Sequence, residues 1–291
     1  MQPPENISPE LRKEFLRLGQ YIGQEDAYAG DDTLGIWDVL RAHFCLADYF
    51  YKKGEGIGGL GPRDANLLHS ALSRQQAPFY KGNRWSSKFD VVSTLYFGLV
   101  KNHAFFDANK RTAFLTCVIH LRKIGRKLSV AQKKFEDLTV SVSEKSYGQF
   151  PEFEKFKNQT DDEVAFISYY LKKNSHFIDQ NEKSITFQEL ERILANFGYE
   201  FGRPKGNYID IIRVQRRGPS DEDKALGQKV ATIPFPGWSD TIIKNQLRKI
   251  RKNLFLTPSN GVDHDDFFAG HDPIPSQISY YRYALERLAY R

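Results

Sequence analysis

Apolar residues recur at helical spacing through most of the first 175 positions. Leu11, Phe15, Leu18, Tyr21 and Ile22 make one stripe over residues 9–23. Ile36, Val39, Leu40, Phe44 and Ala47 make a second over residues 34–51. Residues 52–62 break the pattern with five glycines and a proline, a composition no regular helix accommodates. Asp64 is placed to cap a helix through Leu67, Leu68, Ala71 and Leu72. Phe89–Val100 and Arg111–Arg122 read as two apolar helices, the second closed by Gly125. Further helical patterns cover Ala131–Val140 and Asp162–Lys173, the latter with Thr160 as its cap.

The pattern changes at Asn174-Ser175 and Asn181-Glu182-Lys183. Phe187–Asn196 reads as a helix ended by Gly198. Tyr208–Val214 and Lys229–Ile233 are rich in β-branched residues and read as strands. The polar stretch Gln215–Gln228 reads as a long hairpin loop, and Pro234 and Pro236 stop the second strand. Thr241–Lys252 predicts a basic helix and Ser276–Tyr290 a final amphipathic one. The organisation expected is an N-terminal helical extension (1–30), a mainly α domain (31–174), a small α+β domain (183–270) and a C-terminal helix (271–291).

Composition changes this picture little. The 291 residues suit about two domains. At 40% hydrophobic and 27% charged the chain is expected to be globular. No apolar run approaches the roughly 18–20 residues that cross a bilayer, and Met1–Arg12 lacks the apolar core of a signal peptide, so no membrane association is expected. Cys45 and Cys117 sit in apolar helical stretches, as reduced core thiols of a cytoplasmic protein would. The 22 phenylalanines suit an aromatic core, and the sole methionine, Met1, rules out a Met-lined groove. A net charge of +6 permits contact with a polyanion without requiring it.

Chemistry concentrates in His103-Ala104-Phe105-Phe106-Asp107-Ala108-Asn109-Lys110-Arg111-Thr112-Ala113, which opens an apolar helix. Amide groups at a helix N-terminus bind anions. Arg111 can hold phosphate oxygens bidentately, and Lys110 as a point charge. Asp107 can hold Mg²⁺, which takes one or two carboxylates plus substrate phosphates. His103 can accept a proton from a hydroxyl. Phe105, flanked by polar residues, is an anchor into the core. Each has an ordinary structural explanation alone; together, in this order, they specify far more.

The order resembles the Fic/Doc signature His-x-Phe-x-(Asp/Glu)-(Gly/Ala)-Asn-(Gly/Lys)-Arg at every position. Asp107-Ala108-Asn109-Lys110-Arg111-Thr112-Ala113 is closest to the Doc (death-on-curing) branch. Gly58–Asp64, the Leu67–Arg74 helix and Leu121–Gly125 extend the resemblance over about residues 31–174. It implies a helical domain that transfers part of ATP, or of another nucleoside triphosphate, to a Ser, Thr or Tyr hydroxyl of a protein. His103 would be the general base, Asp107 would position Mg²⁺, and Asn109, Lys110 and Arg111 would hold phosphates. A flap containing Gly56, Ile57, Gly58 and Gly59 would align the target.

AMP-transferring Fic enzymes usually carry glycine where Lys110 stands, and a second arginine where Phe114 stands. The lysine is associated with a reversed nucleotide and phosphate transfer, so a Doc-type toxin acting on a translation factor is expected, with AMP transfer as the alternative. The inhibitory pattern (Ser/Thr)-x-x-x-Glu-(Gly/Asn) is missing from the sequence, which points to restraint by a separate antitoxin. A non-catalytic RNA- or antitoxin-binding module is the reading from a different class.

Phe187–Phe267 resembles HicA toxins, of double-stranded-RNA-binding-like fold, through Asn196-Phe197-Gly198-Tyr199, Lys205-Gly206-Asn207-Tyr208, Thr232-Ile233-Pro234-Phe235 and Gln246–Ile250. Tyr208 stands where HicA has its working histidine, so ribonuclease chemistry does not carry over. Lys244, Arg248 and Lys252 share a helix face at i, i+4 spacing and are candidates for an RNA backbone. Asp263–Asp266 reads as a helix-start acid cluster.

Overall fold

The computed structural model describes residues 3–4, 7–22, 26–79, 82–178, 184–214, 227–257, 260, 262, 264–269 and 273–291. The chain forms two compact units: Met1–Phe177 with Gln277–Arg291, and Ile178–Ser276.

The first unit carries α1 (Pro9–Ile22), α2 (Ile36–Lys52), α3 (Ala65–Ser73), the two-residue strands β1 (Pro78–Phe79) and β2 (Gly82–Asn83), α4 (Lys88–Asn102), α5 (Asn109–Lys123), β3 (Arg126–Leu128), α6 (Gln132–Glu144), α7 (Asp162–Lys173) and β4 (Ser175–Phe177). Helix α5 is buried continuously from Arg111 to Arg122, because Ala113, Phe114, Leu115, Cys117, Val118, Ile119 and Leu121 place apolar groups all round it. Such a helix belongs at the centre, and α2, α4 and α6 pack on it. Phe114 meets Phe135 of α6 with ring centroids 4.7 Å apart. Both cysteines are buried and free. Among the described residues no helix is long and apolar enough to cross a membrane.

Asp64 caps α3 as expected, its Oδ1 accepting from the Asn66 N–H at 2.8 Å. Gly125 follows α5 at φ +75°, open to glycine without strain. The Thr160 cap is not found: the N-cap of α7 is Asp161, left-handed and without a side-chain cap bond. Helix α5 begins at Asn109, two residues before the apolar run, because the Thr112 N–H already reaches the Ala108 carbonyl at 2.8 Å. The antiparallel pair of β3 and β4, Arg126 opposite Phe177, is too short to leave an alternating pattern.

In the second unit, α8 (Phe187–Asn196) is followed by β5 (Tyr199–Phe201), β6 (Tyr208–Arg213) and β7 (Gln228–Pro234), then α9 (Lys244–Asn253) and α10 (His264–Ala269). The strands form one antiparallel sheet in the order β5-β6-β7, with Ile209 opposite Ile233 and an irregularity between Ile211 and Ile212. Thr186 and Glu189 close a capping box at α8. Phe187, Leu190, Leu194, Ile209, Ile211, Leu247, Ile250 and Phe267 make the core. Residues 215–226, most of the expected hairpin loop, and Asp263 of the acid cluster lie outside the described residues.

The single C-terminal helix expected over Ser276–Tyr290 is two: α11 (Pro273–Tyr280) and α12 (Arg282–Arg287). The break falls at Tyr281, a buried ring seated on Phe114 at 5.3 Å, and it lets Ala284, Leu285 and Leu288 also reach the core.

Candidate active site

The loop from His103 to Ala108 connects α4 to α5, and a left-handed residue stands at each end. His103 ends α4 at φ 48°, ψ 47°, and Ala108 precedes α5 at φ 59°, ψ 23°. Neither is glycine, and such backbone costs of order 1 kcal/mol per residue, tolerated where the surroundings fix it. Here they do. Asn109 Oδ1 accepts from the Phe105 N–H and Asn109 Nδ2 donates to the Phe105 carbonyl, both at 2.9 Å. Phe105 is buried and stacks on the His43 ring at 4.1 Å.

The Gly-rich segment lies against this loop. Pro62 bridges to Phe105, and the Arg63 N–H reaches the Ala104 carbonyl at 2.9 Å. The Gly58 N–H donates to Asp107 Oδ2 at 2.8 Å. A side chain at Gly59 would bring its Cβ within 2.7 Å of Phe106 Cβ, so glycine permits the close approach.

Asp107 also accepts from Arg111 Nη2 at 3.2 Å and from the Ala108 N–H. Partial burial pushes its carboxyl up, but the Gly58 and Ala108 amides and the Arg111 guanidinium outweigh that and hold it below the usual carboxylate value. It is ionised at neutral pH, with its side chain 41% exposed. Arg111 is buried with its guanidinium 4.5 Å from the Phe50 ring centre. Burial lowers its pKa, and Asp107 opposes this; arginine stays charged throughout.

His103 is exposed and Lys110 half-buried. The first amides of α5 have no intrahelical acceptor. The loop therefore brings together a proton acceptor, an ionised carboxylate, two cations and unpaired backbone donors, a set suited to a nucleotide's phosphates and a hydroxyl nucleophile. No cluster of three or more His, Cys, Asp or Glu side chains that could hold a metal unaided occurs among the described residues. Asp107 alone suits Mg²⁺ that keeps waters and phosphate oxygens as its other ligands.

Of the residues expected from sequence, His103, Asp107, Asn109, Lys110 and Arg111 lie on this one loop and helix start, with Gly58 and Gly59 of the flap against them. The Asn109 amide is occupied by Phe105, which makes it the clamp of the loop. Gly56 stands at φ 61° with open space around it, and Ile57 is half-buried. Lys244, Arg248 and Lys252 are exposed on α9 of the second unit. Arg251 of the same basic run is buried, donating to the Leu256 and Val262 carbonyls. Sequence reasoning missed His43 and Thr112, which join the flap to α5; a single histidine in an apolar helical stripe carries no pattern of its own.

This fold and loop define a helical unit in which a polar loop, braced by a glycine-rich segment, opens a buried central helix. The Fic/DOC family model matches residues 33–121. A curated relative from Mycolicibacterium smegmatis (strain ATCC 700084 / mc(2)155), named Toxin Doc, is 32% identical over 88 residues, covering 30% of this chain and 68% of that protein. The chain belongs to the Fic/DOC family. No solved structure matches it.

Proposed function

We propose that the first unit is a Doc-type toxin that moves the terminal phosphate of ATP, with Mg²⁺, to a Ser, Thr or Tyr hydroxyl of a protein, a translation factor being one candidate. The observation that carries this reading is the cation arrangement on α5. Lys110 and Arg111 stand at its first turn, while Phe114 is fully buried between Phe135 and Tyr281. A second phosphate-binding cation one turn on is therefore lacking, and Lys110 fills the space a glycine would leave for an α-phosphate. This favours a nucleotide whose terminal phosphate is nearest His103.

In this reading His103 takes the proton of the target hydroxyl as the oxygen attacks the terminal phosphorus, the bond to the β,γ-bridging oxygen breaks and ADP leaves. Arg111 and Lys110 bind the phosphate oxygens, joined by the α5 amides. Asp107 would hold Mg²⁺, which would offset the negative charge of the phosphates. Asn109 keeps the loop in register, and the flap from Gly56 to Gly59 holds the target chain across His103. A separate antitoxin restrains the activity, and the site of action is the cytoplasm. The relative named Toxin Doc supports toxin character.

Intact-mass spectrometry of a modified target tests the transferred group. A phosphate increment, lost in His103→Ala, is expected. An adenylyl increment would replace this reading with nucleotidyl transfer.

For the second unit we propose contact with RNA through Lys244, Arg248 and Lys252. The helix–three strands–helix order and the exposure of these cations support it, as does the resemblance to HicA.

A further inference from the structure

We propose that His43 is the positioning residue that sets the flap over the His103–Ala108 loop, acting as a neutral imidazole of one fixed tautomer. His43 lies on α2 and is fully buried. Its Nε2 is 3.2 Å from the Gly61 N–H, and its Nδ1 is 2.9 Å from Thr112 Oγ1. A backbone N–H only donates, so Nε2 is the bare nitrogen and the ring proton sits on Nδ1, donating to Thr112. The same ring stacks on Phe105 at 4.1 Å and 17°. One side chain thus ties α2, the flap, the loop and α5 together.

A histidine that served only to fill space would engage none of these groups through both nitrogens. The Gly61 end of the flap is the one this contact fixes. Gly61 is left-handed at φ +72°, and a Cβ there would press on Leu18 of α1 at 3.0 Å. The other end is fixed by Gly58 on Asp107. The two anchors differ in one respect. Asp107 is the carboxylate assigned above to Mg²⁺, so a bound nucleotide competes for the Gly58 anchor. His43 touches no phosphate ligand through its nitrogens, and its hold on Gly61 persists through the reaction cycle. The flap's register then depends on the histidine whenever nucleotide is bound. The role in catalysis rests on the flap holding the target segment; the clamp itself does not.

Amide hydrogen exchange of the intact protein tests it. His43→Phe keeps a ring against Phe105 and removes both hydrogen bonds. Exchange over residues 56–63 should accelerate about five- to tenfold, the loss of about one hydrogen bond, while α5 stays protected. His43→Gln, whose amide oxygen can accept from Gly61, should restore most of the protection. Thr112→Val does not touch the flap, yet it removes the acceptor for Nδ1–H and with it the second anchor that orients the ring, while the Gly61 N–H still holds Nε2 bare. It should loosen the flap as well, and it decides the question if His43→Phe fails to fold. Mg²⁺·ATP affinity should change less than about twofold in each variant, because no phosphate ligand is removed. Flap exchange equal to wild type in His43→Phe and Thr112→Val would overturn the clamp. Absence of phosphate transfer by the wild-type protein would overturn the function proposed above and leave the exchange result intact.

Discussion

His103 leaves the end of α4 in a left-handed turn and stands exposed, with no hydrogen bond to any described residue. Its removal should therefore spare the fold. His103→Ala is expected to lower transfer by about 10²–10⁴-fold, the usual contribution of a positioned base, with an unchanged thermal midpoint. Retained labelling of a purified target by this variant would remove His103 from its role. The motif residues were legible in the sequence because five polar types fall within nine positions at the head of an apolar helix. His43 was not, since its function comes from partners 18 and 69 residues away.

The same burial makes two histidines acid-sensitive. Burial, with the Arg111 cation adding to it and Asp107 opposing, holds His43 at about 3 against an ordinary 6.5. Burial likewise holds His120 at about 4, with Lys123 adding to it and the Asp32 carbonyl and carboxylate opposing. Below pH 6.5 the unfolded chain takes up these protons and the folded chain does not, so folding stability falls with pH. The loss is about 1.4 kcal/mol per pH unit for each group, down to its folded pKa. Urea unfolding at pH 7 and pH 5 should show it, and His120→Gln should make the decline shallower. Equal stability at the two pH values would contradict the neutral burial of these rings.

At the scale of elements, glycine at position 59 permits the segment to lie close against Phe106 of the loop. Gly59→Ala places a Cβ 2.7 Å from Phe106 Cβ, which is not the yielding end of a side chain. The flap must shift, so target labelling should fall about tenfold or more while ATP binding and thermal stability stay near wild type. Equal labelling would show that flap position does not matter. The helices were largely legible, since α2, α4, α5, α7 and α8 follow from apolar spacing. Where pattern and structure part, a tertiary contact explains it. Tyr281 breaks the C-terminal helix by packing on Phe114, and β3, β4 and β5 are too short to alternate. The turn at Ala108 starts α5 early, and no propensity marks it.

At the scale of the whole molecule, the chain departs from its first compact unit at Ile178 and returns to it at Gln277. The final residues stay within that unit: Glu286 accepts from Tyr49 at 3.4 Å and also pairs with Lys53, and Arg287 and Arg291 reach the buried Glu136 at 2.6 and 2.7 Å. Sequence periodicity could not show this return, because it is a contact between segments about 150 residues or more apart. The second unit is expected to add affinity for RNA. Changing Lys244, Arg248 and Lys252 together to Glu should weaken RNA binding and reduce its salt slope by about one per lost phosphate contact. An RNA titration without affinity at low salt would leave α9 a solvated face.

In the proposed reading Lys110 and Arg111 turn the terminal phosphate of ATP toward His103. Incubation of the protein and of His103→Ala with cell lysate and ATP, labelled in parallel at the α- and the γ-phosphate, tests it most directly. Label should enter a lysate protein from γ-labelled ATP alone, and only with the wild-type chain. Label from α-labelled ATP would contradict the claim.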